Sequence, residues 1–240
     1  MNRVLLTSVV TTLMAGLLLA QPGMAGVQER PPIARITGGH ALVEENGRFE
    51  QTWVHPDESL RRFDKVFLWN VAFQFRDVGK KKTRGTSSSI LATTGGEAYP
   101  VPKVEKKKFM HIVGDAFGEE LKRSESFQMV DEVVPGTLVV RGAVMDITSW
   151  VPPSTARVDV YLAEVGEGVV LFELIDPETG LMQARVGERS NIRPPDHVDS
   201  AFNRPANFNT VWPDIDRWAH GVASELRLEL ETRLKKPEED

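Results

Sequence analysis

Three carboxylates stand where acid–base chemistry could be mounted. Glu173 interrupts the apolar run Val169 to Ile175 (VVLFELI), Asp176 opens the turn-like DPETG that follows, and Asp146 lies near the end of LVVRGAVMDI. A carboxyl among apolar neighbours is pushed toward its neutral form and can act as an acid, whereas one beside an arginine stays ionised as a structural charge. With residues 176–180 as a five-residue turn, Glu173 opposes Gln183 and is diagonal to Arg185, close enough for a cross-strand pair. That pairing accounts for Glu173 without catalysis. Asp146, Glu173 and Asp176 are the candidate catalytic groups of a carboxylate-based hydrolase, and Arg185, Arg189 and Trp69 are the candidate contacts to a ligand or partner.

Other chemistries find less footing. The histidines at 40, 55, 111, 197 and 220 include two pairs one helical turn from a carboxylate, His111 with Asp115 and His220 with Asp216. Each pair offers two ligands where a metal usually needs three or four, so solvated helix faces are expected, with no metal and no cofactor. Gly-x-Ser-x-Gly and Gly-x-x-x-x-Gly-Lys are both missing, and Ser87 to Ser89 lie in a loop with no base implied nearby. The chain has no cysteine, which excludes thiolate catalysis, thiolate metal sites, disulfides and a lipid-modified N-terminal cysteine.

The elements that position these groups begin behind an export signal. Arg3 precedes an uncharged stretch from Val4 to Ala20 that is richest in leucine at Leu17 to Leu19, and Gly23-Met24-Ala25 supplies the small residues a signal peptidase reads. Cleavage after Ala25 is expected, leaving a mature part with no further stretch apolar enough to span a membrane. Thr11, Thr12 and Gly16 inside the run, and turn formers in place of a basic stop-transfer cluster after it, argue against a retained anchor. The chain carries a formal charge of −5, and cleavage removes only Arg3, so nucleic acid is a poor partner. Its 41% apolar content suffices for a packed core.

Residues 26–52 read as an extended or disordered lead-in and residues 53–234 as one domain, followed by a charged tail, 235–240. FDKVFLWNVAFQF at 63–75 alternates as a strand, with Val66, Leu68 and Asn70 on one side and Phe67, Trp69, Val71, Phe73 and Phe75 mostly on the other. A basic, Ser/Thr/Gly-rich loop fills 76–105. Helical spacing from Lys106 to Arg123 places Phe109, Val113, Ala116, Phe117 and Leu121 on one face, and Gly114 and Gly118 would let that helix approach its support closely. Strand-like stretches follow at 127–134, 137–150, 157–165, 169–175 and 181–188, separated by Pro and Gly turns. Pro213 to Leu234 repeats an apolar stripe of Ile215, Trp218, Ala219, Val222, Leu226, Leu230 and Leu234. The expected fold is α+β: a mostly antiparallel or mixed sheet of five or six strands with two amphipathic helices on one face.

SLRRFDKVFLWNVAFQF at 59–75, LVVRGAVMDI at 138–147, GEGVVLFELIDPETGLMQARVGERS at 166–190 and DIDRWAHGVASELRLEL at 214–230 together resemble the bacterial envelope family domain of unknown function 3313. The resemblance covers most of the mature chain. It implies an envelope protein without an assigned activity and a layout similar to the small α+β domains of TolB-like proteins and the curli-secretion channel subunit. Family members usually carry a lipobox cysteine, which this chain lacks, so a periplasmic or secreted protein without a lipid anchor is expected. The functional expectation is a non-catalytic binding or assembly module whose partner is another envelope protein. The alternatives are the carboxylate-based hydrolase and a small apolar-ligand binder using Phe67, Trp69 and Phe73 on the uncovered sheet face.

Overall fold

Seven strands and two long helices emerge in a computed structural model that describes residues 42–56, 60–78, 98–153, 160–194 and 205–235. The export signal, residues 26–41, the centre of the basic loop with Ser87 to Ser89, His197 and the tail beyond Lys235 lie outside the described residues. The elements are β1 (Val43–Glu44), β2 (Gln51–Val54), β3 (Lys65–Phe75), α1 (Lys103–Leu121), β4 (Gln128–Met129), β5 (Thr137–Ser149), β6 (Gly166–Ile175), β7 (Met182–Ile192) and α2 (Trp212–Leu234). They form one mixed sheet in the order β1-β2-β7-β6-β5-β3-β4, an α+β fold.

Topology follows from the connections. β3 and β5 are parallel neighbours, a pairing that needs a long crossover, and α1 lies within it. From β5 onward the chain doubles back twice into the antiparallel β5-β6-β7 meander. The β6–β7 turn is organised by Asp176, whose carboxylate accepts from the Glu178 N–H at 2.9 Å and the Thr179 hydroxyl at 2.7 Å. Gly180 ends it at φ 70°, a conformation that costs other residues roughly 1–2 kcal/mol.

The sheet has one strand more than the upper expectation because it reaches back into the lead-in. β1 and β2 begin before Trp53 and pair antiparallel, β2 against β7, and Phe49 between them is buried. Two expected strands shrink. Of 127–134 only Gln128–Met129 pairs, since the chain donates once more from Val130 N–H to Val66 C=O and then turns at Gly136, φ 81°. Within 157–165, residues 157–159 lie outside the described set and Val160 to Val165 form no strand.

Both helices cover the same sheet face. Val140, Val144, Val170, Phe172, Leu174, Ala184 and Val186 point toward them and are fully or nearly fully buried. Phe117 of α1 stacks on Phe172 with ring centroids 5.2 Å apart, and the α2 indole of Trp218 donates to the Ser190 hydroxyl on β7 at 2.9 Å. Burying each large apolar side chain in this layer contributes about 1.5–3 kcal/mol. Gly114 and Gly118 do not serve the close approach expected of them: a Cβ at either would meet nothing within 4 Å, so these glycines leave a shallow surface on a flank of α1.

β3 also departs from simple alternation. Its register on β5 slips between Leu68 and Asn70, and again between Phe73 and Phe75. A bulge inserts a residue and reverses the faces beyond it. Val71, Phe73 and Phe75 therefore join Val66 and Leu68 on the helix side, while Trp69 sits in the bulge and is 59% exposed.

Candidate functional site

Side chains that alternate away from the helices build the second face of the sheet, and two of the expected catalytic carboxylates, Glu173 and Asp146, stand there with arginine partners. The register aligns Arg141 on β5, Glu173 on β6 and Arg185 on β7 in one row. Arg141 Nε donates to Glu173 Oε2 at 2.7 Å, and Arg185 donates to Oε1 from the other side. Burial pushes the Glu173 carboxyl up, but the hydrogen bonds from Arg185 and Arg141 outweigh it and hold the group below its ordinary range.

This row differs from the expected one by two positions. The turn is one residue longer than five, Ile175 pairing with Met182, and a bulge then skips Gln183 so that Leu174 pairs with Ala184. Arg185 thus faces Glu173 directly. Gln183, expected in that place, is fully buried, and its side-chain amide has no hydrogen-bond partner among the described residues.

A second cluster gathers around Asp146, which has φ 54° where β5 slips register on β6 between Met145 and Thr148. A positive φ in a non-glycine residue is uncommon, and here the slip carries the carboxylate to two arginines. Arg76 Nε donates to Asp146 Oδ1 at 2.6 Å, and Arg189 Nη2 lies 3.4 Å from Oδ2. Both arginines also approach Glu167, at 3.8 and 3.5 Å. The hydrogen bond from Arg76 exceeds the upward push of burial, and the Asp146 pKa is lowered.

These carboxylates do not converge. Val169, which pairs with Met145 beside Asp146, is four residues along β6 from Glu173, about 13 Å at strand rise, beyond the roughly 5–9.5 Å separations used by paired-carboxylate glycosidases. Asp176 is spent on its turn and on Arg62, 3.0 Å away; burial raises its pKa, and the bonds from Thr179, Glu178 and Arg62 bring it below normal. All three expected catalytic groups are held ionised, so none is set up as a proton donor.

Glu188 is the carboxyl whose pKa moves the other way. It sits on the helix side of β7, where burial raises it and the charges of Glu225 on α2 and Glu50 before β2 add to the effect. Arg48 lies 3.4 Å from Glu225. Its place on the helix-facing side has a signal in the sequence, since it shares the even positions of β7 with Val186.

His111 and Asp115 form an exposed pair at 3.2 Å. His220 meets Glu120 at 3.0 Å and has Asp216 at 3.9 Å. Among the described residues no group of three or more histidines and carboxylates is arranged to hold a metal. Phe67, Trp69 and Phe73 do not line one cavity. The bulge brings Phe73 to the helix side, where it packs edge-on against Phe109 with centroids 6.1 Å apart, while Phe67, before the bulge, stays on the opposite face.

The remaining feature is the outer edge of β3. β4 pairs with it only at Lys65 and Val66, and from Phe67 to Phe75 it has no strand partner among the described residues. Those nine residues carry no charge and no proline, the two commonest means by which edge strands are protected from pairing. Beside them, Met110 on α1 is exposed. Among the described residues no helix is long and apolar enough to cross a membrane.

No protein-family model and no curated protein matches the sequence, so domain of unknown function 3313 remains a resemblance. Solved structures are matched at low identity. The PelC dodecamer from Paraburkholderia phytofirmans is 12% identical, with 78% of this chain and 96% of that chain covered and a TM-score of 0.33. A neuraminyllactose-binding hemagglutinin homolog from Helicobacter pylori is 13% identical over 75% of this chain and 86% of that one, TM-score 0.32. A Xanthomonas campestris protein of the family DUF330 is 10% identical over 80% and 95%, TM-score 0.36.

Proposed function

We propose that this chain is an exported, non-catalytic assembly module of a bacterial envelope, and that it engages another protein through the outer edge of β3. The export segment ending near Ala25 directs it to the periplasm or beyond, and without cysteine it carries no lipid there. The envelope setting and the kinship with domain of unknown function 3313 rest on the sequence resemblance. The observation that carries the assembly reading is the uncharged edge from Phe67 to Phe75, which has no strand partner among the described residues, with Trp69 59% exposed at its bulge. Main-chain groups on such an edge give affinity to any added strand, and alternate side chains give selectivity. On the second face the described carboxylates Asp146 and Glu173 are paired with arginines, which fits a structural role for them.

The test is a photo-crosslinking amino acid placed at position 69 or at the exposed position 72 in the full chain, in cells, with Val104, exposed on α1, as the control position. Adducts to protein at 69 and 72 that are missing at 104 are expected. Equal labelling at all three, or none, overturns the reading.

A further inference from the structure

We infer that the occupant of the β3 edge is a second copy of this chain, docked antiparallel about a two-fold axis through Val71. This rests on the assembly reading above and names its partner.

The edge is bounded on both sides. β4 occupies it through Val66 and the strand ends at Phe75, so among the described residues the open stretch is 67–75 and its midpoint is Val71. An antiparallel copy centred there sets Val71 against its counterpart, Asn70 against Ala72 of the second copy, and Trp69 against Phe73 of the second copy. Apolar and aromatic residues directly opposed across an antiparallel pair stabilise it. The uncharged stretch meets only itself, which avoids the like-charge repulsion that a copy of most edge strands would bring.

The helix layer has the same centre. Lys106 lies over the Phe75 ring, 4.8 Å from its centroid, and fixes where α1 begins along β3. Gly114 is two turns further, about 12 Å at helix rise, which corresponds to between three and four strand residues back from Phe75. That is the level of Val71. Met110, Gly114 and Gly118 share the flank of α1 that Lys106 turns toward β3, and the space beside both glycines is open. A two-fold axis at Val71 therefore brings the lowest part of one α1 flank against the same part of the other, where side chains larger than glycine would hold the two sheets' edges apart. An isologous contact needs this agreement of centres in both layers.

Single cysteines report the register without background, because the chain has none. With the full chain expressed and the purified protein treated with a short bismaleimide, Val71→Cys should link into a covalent dimer at least tenfold faster than Val104→Cys. Adding Trp69→Asp to Val71→Cys should abolish the link while leaving the thermal melt unchanged. Sedimentation of the unmodified protein should give a dimer. A monomer in which Cys at 71 and 104 react alike overturns the second copy, as does a dimer that links equally well at 104 or survives Trp69→Asp. If adducts at position 69 in cells then run at the mass of a different protein, the assembly reading stands and only its partner changes; if position 69 gives no adduct, both fall.

Discussion

Replacing Glu173 by Gln removes the negative charge from the Arg141–Glu173–Arg185 row with almost no change in shape. The two arginines respond unequally. The Arg185 side chain is 5% exposed and the Arg141 side chain 47%, so losing the carboxylate leaves one guanidinium uncompensated out of water and the other free to be hydrated. Breaking a buried pair from one side costs about 3–5 kcal/mol, and because the Gln oxygen still accepts one hydrogen bond the low end, about 3 kcal/mol, applies. The exposed arm adds about 0.5 kcal/mol. For a domain of this size the two together lower the melting temperature by roughly 7–14 °C. Arg141→Ala should cost under about 1 kcal/mol, and the double change Glu173→Met with Arg185→Met should recover most of the loss, since a packed apolar pair substitutes well for a buried ionic one. The sign with pH is fixed by the lowered pKa of Glu173. Its stabilisation is present above the ordinary carboxylate range and disappears as pH falls through the depressed folded value, so the wild-type and Glu173→Gln melting curves converge only in strong acid. Thermal melts by circular dichroism between neutral and acid pH measure all of this. A general-acid role would give the opposite sign, with Glu173→Gln stabilising the protein at neutral pH. That result, or an Arg141→Ala change as costly as loss of Arg185, would refute the ion-pair account.

Glu188→Gln should raise stability at neutral pH by about 0.5–1 kcal/mol, because burial and the charges of Glu225 and Glu50 oppose its ionised form. A folded pKa raised above the unfolded one means that the wild-type protein gains on acidification, so the advantage of Glu188→Gln should fade as pH drops through that raised value in urea titrations. Gln183→Met should be neutral or stabilising by about 1 kcal/mol, since it removes a buried amide without partners among the described residues; a loss above about 1 kcal/mol in chemical denaturation would show that the amide is satisfied in solution. Asp176→Ala should cost about 1–3 kcal/mol through the unmade bonds of its turn and Arg62, and Gly180→Ala about 1–2 kcal/mol at its positive φ, both read from thermal melts with no change in oligomeric state.

How much of this was legible depends on whether a feature is periodic or positional. The stripes of α1 and α2 and the long runs of β5, β6 and β7 are set by repeated burial of one face, and their sequences announce them. β1 and β2 are short, lie beyond the first strong strand signal, and are strands because β7 offers them an edge; their own residues do not alternate far enough to say so. The pairing of Glu173 with an arginine was readable from composition and approximate register, but its exact partner turned on a bulge at Gln183 that no periodicity marks. Asp146 met Arg76 and Arg189 through a register slip of the same kind.

The bulge at Trp69 had the largest effect on function. Simple alternation gathers Phe67, Trp69 and Phe73 on one face and suggests a greasy ligand site. One inserted residue sends Phe73 into the core against Phe109, away from the face that Phe67 keeps, and leaves Trp69 at the rim. The same residues therefore stop describing a pocket and describe a border. A bulge commonly protects an edge by twisting it away from partners, yet here it stands beside a stretch with neither charge nor proline and presents an indole outward. Protection would have been achieved by a lysine in place of Trp69 at no cost to the core, so the exposed tryptophan is better explained by a strand that it receives than by one that it repels.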